Sequence, residues 1–473
     1  MLLPNIYPVT CHTDHVGPGS TFVAIKGYKD DGGKYITIAL EKGATTIIVT
    51  TGTDTQEIKD LCKHHHANLV TVPDTRQALA TYTSKALDYP WKKLKIIGIT
   101  GTKGKTTTTY LTEYLLRQAG HKTALLSTIE NRILNNKEDS VNTTPEGDYL
   151  QMFFAECVKQ GVEFVVMEVS SHALSLNRVY GTLFDGIGFT NLAPEHMDFY
   201  STLEDYFAAK AQLFAHSKNN GTIVINTDDE WGRKALTHAH KAAPTNATFI
   251  DFGQNQATTP FTITQNAVNG IAINIKNTTI SCPSLFGEFN GYNLAMATLL
   301  CHSQGLNMQH IAYAATQFPG VPGRLQRHTL KNGAHAFVDY AHNPSSFEAI
   351  LNTLRPYTHH LIVVFGCGGN RDKTKRPVMG KLAATIADTV VITNDNPRFE
   401  NPDDIMKEIL AGIPQEQSSK IICHPDRHQA IATAAAMSCD GSIIALLGKG
   451  HEAYYLVQGQ KLHFDDLEEI RNF

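Results

Sequence analysis

The chain has 473 residues, room for three domains at about 150 residues each. Lysine and arginine total 41 against 45 acidic residues, a formal charge of -4. That balance excludes a general nucleic-acid binder, which would carry a clustered basic excess. Hydrophobic residues at 42% can fill several cores, and ordinary glycine and proline usage (35 and 19) excludes collagen-like and low-complexity chains.

The first residues, MLLPNIYPVTCHTDH, have neither the basic nor the apolar region of a secretory signal. No apolar run approaches the ~20 residues a bilayer requires, so no membrane insertion is expected. The eight cysteines form no C-x-x-C pair. A zinc ribbon or disulfide framework is therefore not expected, and a reducing cytoplasm is.

Continuous apolar runs predict strands at 45–50, 94–100, 164–169, 221–226, 361–366, 389–393 and 442–448. Such runs suit strands buried on both faces of a parallel sheet. Helical patterns lie between them. In TTTTYLTEYLLRQAG apolar residues recur at three and four, and Gly120 offers a stop. The fold class is α/β. His64, His65 and His66 read as a solvated helix end, because three adjacent imidazoles cannot all face one ion. Turn-rich seams at 84–95 and 317–327 predict domains of 1–90, 91–321 and 322–473.

The strongest local signal is IIGITGTKGKTTTTYL, residues 96–111, where an apolar strand enters a glycine-rich turn and then a helix. This is phosphate-cradle logic. Backbone N–H groups of Gly101, Thr102, Lys103, Gly104 and Thr107 surround phosphate oxygens, Lys105 neutralises charge, and the Thr106 hydroxyl reaches Mg²⁺. The spacing departs from the strict motif, with Ile99 where a glycine is asked and Gly98 one place early. Glu168 is the last residue but one of the run FVVMEV, near the carboxyl end of a strand, where α/β sheets place ligands. Downstream, FTNLAPEHMDFYSTLEDYFAAKAQLF (189–214) supplies Glu195, His196 and Asp198 on a loop, then Lys210 on a helix.

Together these segments resemble the Mur ligases, the amide-forming enzymes of peptidoglycan precursor synthesis. The carrying residues are GTKGKTT (101–107), NTTP (142–145), MEVSSHAL (167–174), FTNLAPEHMD (189–198), YFAAKAQLF (206–214), GEFNGYN (287–293), GRL (323–325), VDYAHNP (338–344), FGCGGNRDKTKRP (365–377), NDNPR (394–398) and LLGKGHE (446–452). The resemblance implies an N-terminal α/β UDP-binding domain, a central P-loop ATPase-like parallel-sheet domain and a C-terminal Rossmann-like domain. EVSSHAL, GCGGNRDKTKRP and GKGHE are similar to the branch that adds a third amino acid to UDP-N-acetylmuramoyl-L-alanyl-D-glutamate. Within it, Asp395-Asn396-Pro397-Arg398 resembles the form that uses meso-2,6-diaminopimelate, whose far carboxylate a guanidinium can grip bidentately. The same ligase using L-lysine, and a non-catalytic nucleotide- or muropeptide-binding relative, are the alternatives.

By resemblance, Lys105, Glu168, His196, Lys210 and Arg324 are catalytic. Thr106, Glu168, His196 and Lys210, the last as a CO₂-derived carbamate, would hold two Mg²⁺ ions. Asn293, Arg324, Asp339 and His342 would join the cradle in binding ATP. Thr13, Thr143, Thr144, Ser170 and Arg178 would hold the UDP-muramoyl dipeptide, and Arg371, Asp395, Asn396, Arg398, Gly448 and Glu452 the diaminopimelate. The segment HTDH departs from the family's uridine-site pattern. A monomer acting on small molecules is expected.

Overall fold

A computed structural model describes residues 2–27 and 30–473. Its strands form sheets of four, eleven and six, with one two-stranded hairpin. All seven predicted strands are present, within about a residue at most ends, although 221–226 is the end of a longer strand, Ser217–Asn226.

The first sheet orders Val9–Thr10, Thr21–Val23, Thr46–Thr50 and Asn68–Val72, all parallel. His64 ends the helix Gln56–His64, as the triplet suggested. This sheet is fastened to the central one through Asp148, at the start of the helix Gly147–Lys159. One Asp148 oxygen accepts from the Thr10 hydroxyl (2.8 Å) and from the Cys11 amide (3.1 Å).

Seven consecutive strands of the eleven-stranded sheet are parallel. They run Thr259–Ala267, Thr248–Gly253, Ser217–Asn226, Phe184–Phe189, Lys95–Thr100, Phe164–Glu168 and Thr123–Leu126. Ile96, Ile97, Ile99, Val165, Val166 and Met167 are fully buried, so both faces of its centre are covered. An antiparallel pair, Glu130–Ile133 and Asn136–Asp139, extends one end. These strands are short, polar and half-exposed, and no apolar period announces them.

The six-stranded sheet orders Gln326–Thr329, His335–Asp339, Ile443–Leu447, Leu361–Phe365, Thr389–Ile392 and Ile421–Cys423. Only the first pairing is antiparallel. Helices Pro344–Leu354, Lys375–Ile386 and Pro402–Leu410 share one core with its strands, through Phe347, Leu351, Met379 and Ile409. Helices Arg427–Met437 and Asp466–Ile470 share a second, through Ile431, Ala434 and Ile470. The sheet is thus wound on both faces, and its carboxyl ends are free to carry ligands.

The chain condenses into two compact units. One holds residues 1–262, 273–280 and 291–315, and so both the four-stranded sheet and most of the central one. The other holds 263–272, 281–290 and 316–473.

In the second unit Arg376 is wholly buried and donates to Glu400 (3.0 Å), Glu408 (2.7 Å) and the Gly368 carbonyl (3.1 Å). Arg376, and after it the Asn370 amide, hold the Glu400 carboxyl down at about 2. The unfolded value is about 4.3. A depressed folded value stabilises above the unfolded one and is lost as pH falls through the folded one. Glu400→Gln should therefore lower the melting temperature at neutral pH, and its deficit against wild type should shrink between about pH 5 and pH 2. A deficit that stays constant over that range in thermal melts contradicts the assignment.

Candidate active site

In the first unit the strand Lys95–Thr100 ends in a loop that winds into the helix Lys105–Gln118, with Gly104 left-handed at the N-cap (φ 86°). Segment 190–193 clamps this loop. Asn191 accepts from the Lys103 amide (3.0 Å) and donates to the Lys103 carbonyl (3.1 Å), and its own carbonyl takes the Thr102 N–H (2.9 Å). The Thr190 hydroxyl donates to the same Lys103 carbonyl (2.7 Å). Asn293 lies against Gly104 on the other side and accepts from the Thr108 hydroxyl (3.3 Å). The turn is thus held open by its neighbours, and phosphate can meet a preformed set of N–H groups at a helix N-terminus.

Two lysines converge on this loop. Lys105 Nζ donates to the carbonyls of Gly101 (3.0 Å) and Thr102 (2.9 Å). Lys210, on the helix Leu203–Ala211, is 1% exposed, and its Nζ donates to the same Gly101 carbonyl (2.7 Å) while sitting 4.3 Å from the Tyr206 ring centre. Burial, and then the charge of Lys105, push the Lys210 amine well below the usual lysine range. His196 takes a left-handed backbone (φ 59°), with its ring 4.8 Å from that of His172 and 5.9 Å from that of Tyr206.

Glu168 is fully buried at the end of Phe164–Glu168. One of its oxygens accepts from the Thr128 amide (2.8 Å), and the other, Oε2, is buried with no hydrogen-bond partner. Thr143, Thr144, Ser170 and Arg178 gather around it. Thr144 donates to the Glu168 carbonyl (2.9 Å) and accepts from the Ser170 amide (3.0 Å). The Thr128 hydroxyl donates to that of Thr143 (3.1 Å). Ser170 caps the short helix Ser171–Ser175. Arg178 donates to the Thr144 carbonyl (2.8 Å) and pairs with Glu146 (2.6 Å). Thr13 opens a turn in the first sheet's domain, where Lys42 donates to its carbonyl (2.8 Å).

The second unit carries its own cluster at the carboxyl ends of its strands. Asp395 and Asn396 follow Thr389–Ile392, and Gly448 follows Ile443–Leu447. Gly448 is left-handed (φ 108°), and a Cβ there would stand 2.7 Å from Asp395 Oδ2, so only glycine fits this close approach. Asn396 donates to Glu452 (2.7 Å) and accepts from the Leu456 amide (2.9 Å). Burial, and then Asp395, raise the Glu452 carboxyl. Arg398 donates to the carbonyls of Gly369 (3.0 Å) and Asn396 (3.4 Å). Arg371 is exposed on the neighbouring loop. Asp339 accepts from the amides of Leu325 (2.7 Å) and Ala341 (2.8 Å), which fixes the loop bearing Arg324. The Arg324 guanidinium lies 5.1 Å from the Tyr340 ring centre, and His342 contacts the Tyr340 carbonyl (2.8 Å).

The chain matches the Mur ligase family catalytic domain over residues 5–86, the Mur ligase middle domain over 99–301 and the Mur ligase glutamate ligase domain over 323–450. This chain belongs to the Mur ligase family. Its relatives include the UDP-N-acetylmuramoyl-L-alanyl-D-glutamate–2,6-diaminopimelate ligases of Thermosynechococcus vestitus and Clostridium botulinum. The first is 39% identical, covering 96% of this chain and 90% of the relative. The second is 40% identical, covering 96% and 92%. A solved structure of a ligase of that name superposes with a TM-score of 0.70 at 30% identity, over 99% of this chain and 94% of the other. The MurF ligase of Thermotoga maritima in complex with ADP shares the fold (TM-score 0.61, 19% identity, 94% of each chain).

As a Mur ligase, the protein is an ATP-dependent, amide-forming enzyme with a three-domain α/β fold. ATP in this family is typically used with Mg²⁺, and the first unit fits that ion. A fully buried carboxylate oxygen without a hydrogen-bond partner is costly unless a cation meets it. Among the described residues no three His, Cys, Asp or Glu side chains converge. Sequence reasoning passed over Thr128, Asn191, Tyr206 and Glu146. Asn191 lies inside the FTNLAPEHMD segment, but an asparagine in a loop has no pattern that announces a backbone clamp.

Proposed function

We propose that this Mur ligase joins meso-2,6-diaminopimelate to the D-Glu γ-carboxylate of UDP-N-acetylmuramoyl-L-Ala-D-Glu, with cleavage of ATP, in the cytoplasm. One observation carries the reading. Arg398 is joined through Asn396 to Glu452, and Asp395 beside them meets the close approach at Gly448. A guanidinium beside two carboxylates complements an amino-acid end that carries both carboxylate and ammonium. The side chain of lysine ends in an ammonium alone and leaves the guanidinium unmatched. The names of the relatives agree with the substrate.

In this reading the boundaries 1–90, 91–321 and 322–473 separate domains for the uridine substrate, ATP and the amino acid, and the enzyme works as a monomer. Gly101 to Thr107 line the phosphates, with the helix N-terminus supplying N–H groups while those of Thr102 and Lys103 stay bonded to Asn191, and with Lys105 turning from its loop carbonyls to the β/γ-phosphates. Asn293, Arg324, Asp339 and His342 complete the nucleotide site. Thr13, Thr143, Thr144, Ser170 and Arg178 orient the muramoyl dipeptide. Arg371, Asp395, Asn396, Arg398, Gly448 and Glu452 orient the diamine. The γ-carboxylate attacks the γ-phosphorus, giving an acyl phosphate and ADP. The amine then adds to the activated carbonyl, loses its proton and expels phosphate. The protein's part is positioning and charge neutralisation. Mg²⁺, held by Thr106, Glu168, His196 and Lys210, would neutralise phosphate charge.

Lys210 suits that last role as a carbamate. An amine whose charged form burial disfavours, once deprotonated, attacks the carbon of CO₂, releases one proton and keeps one N–H for the Gly101 carbonyl. The resulting anionic oxygens suit a hard cation.

The test is ADP release with Mg·ATP, the muramoyl dipeptide substrate and each candidate amino acid, with product masses checked. Strong turnover with meso-diaminopimelate and little with L-lysine is expected, and stripping CO₂ should suppress it until bicarbonate is restored. Turnover with lysine alone overturns the pocket reading, and none with any amino acid overturns the ligase reading. Indifference to CO₂ overturns the carbamate.

A further inference from the structure

Arg427 and Asp466 are both fully buried on the second unit's sheet, Arg427 opening the helix Arg427–Met437 and Asp466 the helix Asp466–Ile470. The guanidinium meets the carboxylate bidentately, Nε to Oδ1 and Nη2 to Oδ2, both at 2.6 Å. Its remaining bonds leave the ion pair. Nη1 donates to the Asn394 carbonyl (3.3 Å) and Nη2 to the Leu447 carbonyl (3.2 Å).

Those two carbonyls belong to different strand ends. Asn394 lies just past Thr389–Ile392, and Leu447 ends Ile443–Leu447, with Leu361–Phe365 between them in the sheet. The next residues are Asp395 and Gly448, which meet at the close approach described above. One planar fork therefore spans the gap between the strand ends on which the pocket is built. Asn394 is tied a second time to this corner, donating from its side chain to the Pro425 carbonyl (2.6 Å). A buried ion pair is a weak device for stability, since apolar residues of similar volume often serve as well. A rigid fork with five donors is a strong device for fixing carbonyls in register.

We propose that the Arg427–Asp466 pair positions the amino-acid pocket by holding the Asn394 and Leu447 carbonyls together. Asp395, Asn396 and Gly448 then present a fixed geometry to the substrate. The inference rests on the diaminopimelate reading above, and Arg427 acts through these residues without touching the substrate.

The test compares wild type, Arg427→Met/Asp466→Leu and Arg427→Lys as full chains. The apolar pair keeps the volume but cannot donate, and the lysine keeps the charge without the fork. Both should raise the KM for diaminopimelate about tenfold, the scale of a small misplacement of binding groups. The KM for ATP and the kcat at saturating amino acid should stay within about twofold, since a register fault in this pocket is overcome by saturation. Melting of the double variant should stay close to wild type. A folded variant with unchanged KM for diaminopimelate overturns the proposal. So does a parallel loss in every kinetic constant, which marks a merely structural pair. If the double variant does not fold, Arg427→Lys decides by the same two readings. A wild type inert toward every diamine refutes the substrate assignment instead, before any variant is compared.

Discussion

Glu168→Gln should leave the chain folded and lower ligase turnover by roughly 10²–10³-fold, the scale of losing one preorganised electrostatic partner of the transferring group. The glutamine carbonyl can still accept from the Thr128 amide, so the local fold keeps its anchor. The other position changes from an unpartnered anionic oxygen to an N–H donor, which repels a cation. Without nucleotide, removing a buried unpaired charge should hold or raise the melting temperature. Activity and stability are thus expected to move in opposite directions, which separates this effect from damage to the fold. The checks are ADP release titrated with Mg²⁺ and a thermal melt of the free protein. Near-normal turnover at ordinary Mg²⁺ would show that Glu168 holds no ion.

Gly323→Ala is expected to destabilise the second unit by about 3 kcal/mol or more, because the obstacle is backbone and not a side chain that can swing aside. Gly323 is left-handed (φ 63°), and a Cβ there would stand 2.2 Å from both the Gly450 carbonyl carbon and the His451 nitrogen. Its carbonyl also accepts the Tyr340 N–H (2.9 Å), so the segment cannot drift away without breaking that bond. Relief would move Arg324 on one side and Glu452 on the other. Calorimetry should show a melting temperature several degrees lower, and steady-state kinetics a higher KM for both ATP and the amino acid. A melt within about a degree of wild type would contradict a tight backbone crossing at Gly323.

The buried parallel strands were legible because burial on both faces leaves an uninterrupted apolar run, as in Ile96 to Ile99 and Val363 to Phe365. The hairpin Tyr454–Val457 with Gln460–His463 was not legible, because its residues are half-exposed to exposed and carry no alternation. The site divides in the same way. Lys105 and Glu168 stood out by residue type at the start of a helix and the end of a strand, whereas Lys210, which alone reads as a solvated helix charge, stood out only through the family resemblance and is buried. What each is joined to did not. The orphaned Glu168 oxygen, the shared Gly101 carbonyl and the Arg427 fork arise from segments far apart in sequence, and a side chain's partners leave no periodic trace.

Arg398 has a left-handed backbone (φ 53°) and is pinned on both sides by the hairpin, its N–H bonding the Leu456 carbonyl (2.8 Å) and its carbonyl taking the Gln458 N–H (2.7 Å). The direction in which its side chain leaves the backbone is therefore set by the main chain before any rotamer is chosen. Descendants that drift toward another amino acid face a narrow menu at this position, since β-branched and bulky residues resist that conformation while asparagine, aspartate and glycine accept it. A lineage could thus lose the guanidinium in one step, but could seldom trade it for an apolar wall without rebuilding the hairpin as well.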